Sequence, residues 1–355
     1  MSQRLHNVLV TGARGFVGSR VASYLLASGY SVVGAVRKAP DRNYERQGPE
    51  LGDVADWAPL LQGMDYVVHC AGRVHQLSDQ ADDPLMEYRR VNVDGTMALA
   101  RQAAACGVKR FVFLSSIKVN GEATLPGAPF TEQIARVPED PYGLSKYEAE
   151  QLLLALAAEC SMEVVIIRLP LVYGAGVKAN FKKMMRLAAS GIPLPLAGIN
   201  NCRSFIYIEN LCHFIELTIR HPKAANEVFL VADGEDFSTP ELLRTIAGHM
   251  ERPCRLINVP MTLLTWLVKL VGMEAQLFRL TSSLQLDIGK ARNMLGWRPM
   301  VSVHSAIAET ARAYQIQGEY VVSSVVGGIC VIGCIDRLSS TVCTVEKCVR
   351  YSQSS

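Results

Sequence analysis

Apolar and polar residues recur along this chain with two different periods, and their order predicts strands alternating with helices. Val-, Leu- and Ile-rich runs at residues 8–11, 31–36, 65–72, 110–116 and 163–168 have the length and continuity of strands buried on both faces. Between them, residues 19–27, 84–106 and 142–160 carry apolar positions three and four apart, the period of a helix packed on a sheet. This alternation predicts an α/β fold, a Rossmann-type doubly wound parallel sheet, over residues 1–170. Beyond it the period breaks. A helix at 180–190, short strands at 192–195 and 203–208, a helix at 210–220, a strand at 228–231 and helices through Tyr314 predict a smaller, mixed C-terminal lobe over residues 171–318, with the chain free to cross back. Residues 261–271 are apolar, but Lys269 interrupts them and the run is far short of the roughly 20 residues that span a bilayer, so it is read as a helix of that lobe, with surface contact to a membrane as the lesser alternative. Residues 319–355 hold eight valines, seven serines and four cysteines without Pro, Phe or Trp, and show no helical period; they form an appended tail.

Composition narrows the class. With 355 residues and 49% hydrophobic content the chain can bury a full core. The 36 basic and 33 acidic residues leave a net charge of +3 and no long basic run, which argues against nucleic-acid binding. Residues 1–7 lack an apolar signal core, and no integral membrane segment is expected, so a cytoplasmic protein is expected. Cys70, Cys106, Cys160, Cys202, Cys212 and Cys254 are scattered through apolar segments and read as buried thiols. Cys330, Cys334, Cys343 and Cys348 have neither CxxC spacing nor a neighbouring His, so no metal site is expected.

The first candidate chemistry is the turn Thr11-Gly12-Ala13-Arg14-Gly15-Phe16-Val17-Gly18, between the first strand and the first helix. Gly12 permits a tight turn, Gly15 admits a pyrophosphate to the backbone and Gly18 lets the helix lie close on the strand, while the helix N-terminus faces an anion. The second strand closes on Arg37, with Arg14 as a second cation. A carboxylate there would suit a free ribose hydroxyl and an Arg suits a 2′-phosphate, so NADP(H) is preferred and NAD(H) is the alternative. Ala71 and Gly72 end the 65–72 strand with small residues over which the cofactor can pass, and His69 is read as a packed strand residue.

Tyr142 and Lys146 lie four apart at the start of a helix and so share one face. An ammonium beside a phenol favours the phenolate, which makes Tyr142 an acid or base, while Lys146 can also hold a ribose. Ser116, at the C-terminal end of the preceding strand, can polarise a carbonyl or alkoxide beside Tyr142. Ser116, Tyr142 and Lys146 are thus the candidate catalytic residues.

Taken together, Thr11-Gly12 to Gly18, Ser115-Ser116, Pro141-Tyr142 to Lys146, Arg168 to Gly174, Arg203 to Leu211 and Leu295-Gly296-Trp297-Arg298-Pro299 resemble the extended short-chain dehydrogenase/reductases, in their nucleotide-sugar epimerase, dehydratase and reductase branch. The resemblance covers residues 5–315 and implies a dinucleotide cofactor, a nucleotide-sugar substrate and often a homodimer built through two helices per subunit. It makes Leu51-Gly52-Asp53-Val54 a short third strand whose Asp53 and Val54 approach the adenine, and Asn92 a helix residue that holds neighbouring backbone and the catalytic helix beside the cofactor. It assigns Arg203 to the substrate diphosphate, with Asn180, Phe181 and Arg279 as further substrate residues. The branch's dehydratases carry an Asp-Glu pair after the catalytic Ser or Thr, where this chain has Ile117-Lys118, so dehydration is disfavoured. Ser115-Ser116-Ile117-Lys118-Val119-Asn120-Gly121-Glu122 is most similar to bacterial enzymes of surface-polysaccharide precursor synthesis, and the resemblance, with Arg37, implies an NADP(H)-dependent reductase of a UDP-4-keto-6-deoxy-N-acetylhexosamine. The alternatives are a UDP-hexose 4-epimerase with tightly bound NAD, a steroid-type ketoreductase, and a non-catalytic dinucleotide-binding sensor or scaffold.

Overall fold

The computed structural model describes residues 6–74, 83–125, 127–270, 272, 274–319, 325–326 and 329–330. The run Val8-Leu9-Val10 forms β1 (Asn7–Thr11), and α1 (Phe16–Ala27) returns along the sheet to β2 (Ser31–Val36), which pairs parallel to β1. After β2 come β3 (Glu45–Gln47), the single-turn α2 (Ala58–Leu61) and β4 (Tyr66–His69). Next are α3 (Pro84–Tyr88), a π-helical stretch over Arg89–Asp94, α4 (Gly95–Ala105), β5 (Arg110–Ser116), α5 (Pro141–Glu159) and β6 (Glu163–Leu169). The chain continues through β7 (Leu171–Tyr173), α6 (Ala179–Ala189), β8 (Phe205–Tyr207), α7 (Ile208–Arg220) and β9 (Glu227–Leu230). It ends in α8 (Thr239–His249), α9 (Met261–Leu270), α10 (Glu274–Thr281), α11 (Gly289–Leu295) and α12 (Val303–Glu319).

Seven strands form one sheet in the order β3-β2-β1-β4-β5-β6-β9, with every pairing parallel. Strand residues of alternate parity enter two separate cores. Val8, Val10, Val112 and Ile167 pack with Val21, Leu25 and Phe214 on one face; Leu9, Phe111, Phe113 and Ile166 pack with Leu99, Ala149 and Leu153 on the other. This two-sided burial explains the unbroken apolar strands and makes the architecture a Rossmann-type doubly wound sheet.

Three sequence expectations are corrected. Leu51-Gly52-Asp53-Val54 is a turn rather than a strand. The third strand is the polar Glu45–Gln47, paired with Gly34 to Val36 at the sheet edge, where an apolar pattern is not required. Residues 192–195 form no strand, since Pro193 and Pro195 lack the N–H groups a ladder needs and only Leu194 bridges to Leu256. The 84–106 helix is interrupted by its π-helical stretch, which carries Asn92. Beyond residue 170 the chain crosses back, as β9 joins the main sheet beside β6 and α7 packs against α1. What projects beyond the sheet layers is the β7–β8 pair with α6 and α8 to α12.

The tail's cysteine and valine pattern lies almost wholly outside the described residues. Both cores, the sheet and the candidate catalytic residues lie before residue 320. A chain ending at Glu319 is therefore expected to keep its thermal midpoint within about 3 °C of the full chain by calorimetry, a shift corresponding to roughly 1 kcal/mol or less.

Candidate active site

The site forms where β1, β4 and β5 end. Gly12 has φ +66°, and a Cβ there would lie 2.9 Å from the backbone nitrogen of Ala71. A Cβ on Gly18 would lie 2.2 Å from the Gly12 carbonyl oxygen, so the turn and the helix can approach only as glycines. Gly15 stands at the N-cap of α1 with no side-chain cap, and no acidic residue occupies the first turn, leaving Phe16 and Val17 at an N-terminus suited to an anion. Facing this turn, the Ala71 amide donates to Thr11 Oγ1. The His69 ring lies between Thr11 Oγ1 at 2.7 Å and Thr96 Oγ1 at 3.1 Å. Burial pushes His69 down to about 3, so it is a neutral spacer that fixes the end of β4. The turn and the Ala71–Gly72 backbone thus form a cradle suited to a pyrophosphate and ribose.

The cations around β2 differ from the sequence reading. Arg14 is engaged by Glu45 at 2.6 Å, by Asp41 at 2.8 Å and by the Ala39 carbonyl oxygen at 2.7 Å. The Arg14 guanidinium and the Asp41 amide hold the Glu45 carboxyl down at about 2. The carboxylate that occupies Arg14 comes from β3, where Glu45 lies beside Gly34 of β2, a pairing the sequence did not reveal. Arg37 remains outward, 80% exposed and 3.8 Å from the equally solvated Glu50, a separation and setting in which an ion pair is weak. Asp53 accepts from the Val54 amide, and Val54 is 91% exposed.

The catalytic helix starts where it does because Asp140 caps it through the Gly143 amide and Pro141 occupies its first turn. Gly143 is required for close approach, since a Cβ there would lie 2.8 Å from the Lys118 carbonyl oxygen in the segment just after Ser116. This approach brings the Tyr142 phenol beside the Ser116 hydroxyl, whose hydrogen bonding favours the charged form. Burial outweighs that bond and pushes Tyr142 up to about 12, so the phenol carries its proton at neutral pH. The expected shift toward phenolate is absent in the protein alone. One turn on, Lys146 donates to the Leu114 carbonyl oxygen at 3.0 Å and sits 4.4 Å from the Phe113 ring centroid. Burial lowers it to about 8, against the opposing charge of Glu150. A Cβ on Gly72 would lie 3.5 Å from Lys146 Nζ and 3.0 Å from Asn92 Oδ1, so ammonium, amide and bare backbone share one small space. Asn92 accepts from the Arg73 amide and donates to the Arg73 carbonyl oxygen and to Ser145 Oγ, tying the β4 loop to α5.

The sequence reading missed what lies behind these groups. Ser115 donates to the fully buried Glu150, and Arg168 grips the same carboxylate at 2.7 Å while donating to Asn120 Oδ1 and the Glu132 carbonyl oxygen. A readable signal existed: Arg168 closes the apolar strand Glu163-Val164-Val165-Ile166-Ile167, and a cation so placed needs an anion. Glu150, on the Lys146 face of α5, supplies it.

The proposed substrate residues separate. Arg203 donates to the carbonyl oxygens of Arg279 and Ser282 at the end of α10. Burial and the nearby Arg279 guanidinium both disfavour its charge, so two like charges stand close together at a spot suited to an anion. Asn180 is exposed on α6. Phe181 is fully buried and stacked on Tyr173 at 4.9 Å, a core residue in this structure rather than an open lining.

A glycine-lined Rossmann turn, with Ser116 at the end of β5 and Tyr142 and Lys146 on α5, defines an enzyme of the short-chain dehydrogenase/reductase class. The chain belongs to the NAD dependent epimerase/dehydratase family, whose sequence profile matches residues 8–232. It is 47% identical over 313 residues to the UDP-glucose 4-epimerase of Vibrio cholerae, spanning 87% of this chain and 95% of that protein. It is 28% identical over 270 residues to the N-acetyl-alpha-D-glucosaminyl-diphospho-ditrans,octacis-undecaprenol 4-epimerase of Escherichia coli O157:H7, covering 72% and 75% of the two chains. Among solved structures, MoeE5 in complex with UDP-glucuronic acid and NAD superposes with a TM-score of 0.70 at 25% identity, covering 87% of this chain and 99% of that one.

Removing one partner of the Glu150–Arg168 pair leaves a buried charge uncompensated. Glu150→Gln is expected to cost about 3–5 kcal/mol in urea unfolding, and Glu150→Met with Arg168→Met less than either single change. The lowered Lys146 sets a pH limit. Its ammonium is present below about 8 and lost above, so kcat/KM, which reports the free enzyme, is expected to fall as pH rises through that value.

Proposed function

We propose that this enzyme reduces a C4 ketone of a UDP-linked, 6-deoxy N-acetylhexosamine, using NADPH. The observation that carries the reading is the placement of a protonated Tyr142 phenol beside Ser116 and one helical turn from Lys146. A nicotinamide dinucleotide bound in the glycine cradle would supply the hydride. Gly12, Gly15, Phe16, Val17 and Gly18 would hold its pyrophosphate, Ala71, Gly72 and Asn92 would border its riboses, and Asp53 and Val54 would approach its adenine. Arg37, the outward cation at the end of β2, would take the 2′-phosphate, because Arg14 is already committed to Glu45 and Asp41.

The chain's own groups complete the chemistry at oxygen. Ser116 polarises the C4 carbonyl, and Tyr142 gives its proton to that oxygen as hydride reaches the carbon, so one ketone takes up one hydride and one proton to become an alcohol. Lys146 holds a ribose hydroxyl and stabilises the phenolate left behind. Arg203 and Arg279 pair with the substrate diphosphate, with Asn180 at the nucleotide end. The undecaprenol-linked substrate in the Escherichia coli relative's name supports the diphosphate as the recognised element. Dehydration is disfavoured because Lys118, just past Ser116, is paired with Glu122 and with the cap residue Asp140, and offers no acid for a leaving 6-hydroxyl.

A second reading, 4-epimerisation of a UDP-hexose with retained NAD, is favoured by the similarity to the Vibrio cholerae protein. The two separate on one measurement. Incubated with a panel of UDP-sugars and their 4-keto derivatives, a reductase consumes NADPH in step with product, while an epimerase forms product with no net change in absorbance of the reduced ring. Conversion of a UDP-hexose to its C4 epimer without added reductant would replace the first reading by the second.

Tyr142→Phe is expected to abolish turnover while leaving dinucleotide affinity within about twofold, because its proton is needed only as charge develops on oxygen. Ser116→Ala is expected to lose on the order of 10²- to 10³-fold in kcat. Calorimetric titration tests the cofactor: Arg37→Ala should weaken NADPH at least about tenfold and leave NADH nearly unchanged, since one charge-assisted bond to phosphate contributes roughly 1.5–3 kcal/mol.

A further inference from the structure

Helix α9 is apolar on two opposite sides, and only one of them is covered. Leu264 is buried and Val268, one turn on, is half-buried, so the helix rests on the protein along that line. Leu263, Trp266 and Leu270, three and four positions apart, form a second line on the outward side, and they are 47%, 58% and 66% exposed. Phe278 of the following α10 is likewise 47% exposed. The chain has three tryptophans, and Trp57 and Trp297 are buried at 3% and 1%, so the exposure of Trp266 is not how this protein ordinarily places tryptophan. A helix with apolar residues all round is normally buried, and one with a wet apolar face is made to meet something.

We infer that the α9–α10 hairpin is a membrane-surface docking element that lays Leu263, Trp266, Leu270 and Phe278 into the interface of an anionic lipid bilayer. Charge chooses lipid over a second copy of the chain. Helix α9 has no acidic residue, and Lys269 flanks the apolar line. Exposed Glu251 and Glu274 lie before α9 and at the start of α10, but the cations Arg252, Arg255, Lys269 and Arg279 outnumber them, the pairing of Trp with cations that suits an anionic interface. No helix among the described residues is long and apolar enough to cross a membrane, so this contact lies on the surface. Docked this way, the end of α10 that carries Arg279 lies near the headgroup phosphates, and the site is presented to sugars made or carried there. The docking stands apart from the substrate reading above, and either can fail without the other.

The test is sedimentation of the full chain with vesicles of phosphatidylethanolamine and phosphatidylglycerol, and with phosphatidylcholine alone. The full chain should sediment with the anionic vesicles and shift its tryptophan emission to the blue, a shift absent from Trp266→Phe. The double variant Trp266→Glu, Leu270→Glu should bind at least about tenfold more weakly and turn over soluble nucleotide sugar within twofold of the unchanged enzyme. Failure of the unchanged chain to sediment would overturn the inference. So would a Trp266 already shielded from acrylamide before vesicles are added, or a dimer that the double variant converts to monomer, since either means that protein covers the face.

Discussion

The Glu150 carboxylate has no exposed surface, and three elements close on it: α5, which carries it, β5 through Ser115, and β6 through Arg168. A charge so placed is tolerable only while every partner is present, because the desolvation of carboxylate and guanidinium is offset by their mutual attraction and by the bonds to Ser115, Asn120 and Glu132. That requirement fixes the depth and rotation of α5 against the sheet. Tyr142 and Lys146 lie two turns and one turn before Glu150 on the same helix, and Ser116 directly follows Ser115. The register that satisfies the buried pair is therefore the register that delivers phenol to hydroxyl.

The same carboxylate shapes the electrostatics one turn away. Lys146 lies in a pocket formed by the Phe113 ring, the Leu114 carbonyl and the Gly72 backbone, where burial alone would strip its proton. Glu150 opposes this and keeps the ammonium near its titration point at neutral pH. Tyr142 responds in the other direction, since for a phenol burial favours the neutral form. Two groups whose ordinary values nearly coincide are thus driven about four units apart, the kind of separation that distinguishes a proton donor from an electrostatic anchor.

How much of this was legible in the sequence follows from which interactions are local. The glycine turn, the Tyr-Lys spacing and the buried strands depend on neighbours within one turn or one strand, and the family relationship shows in them. The edge strand Glu45–Gln47 was not legible, because an edge needs no apolar run, and with it went the carboxylate that engages Arg14. Asp53 and Val54 were placed on a strand that proved a turn. Phe181 drew attention as an aromatic near a nucleotide pocket, yet its ring is stacked inside the core on Tyr173, a contact between elements that no spacing encodes. The return of β9 to the sheet is of the same kind: the strand itself was readable, but its partner lay about 60 residues upstream.

The two halves of the site differ in what holds them. On the cofactor side, Gly12, Gly18, His69 and Asn92 are fixed by contacts in which a single added methyl group would collide with backbone, or by hydrogen bonds on both sides of a buried group. On the substrate side, α10 buries none of its residues fully and α9 buries Leu264 alone among those described. Elements with so little core contact lie at the low end of local stability, where composition is set by what the surface meets rather than by packing within the fold. In the proposed reading, the rigid half fixes where hydride and proton would be exchanged, and the loosely anchored half is free to vary in what carries the sugar to them.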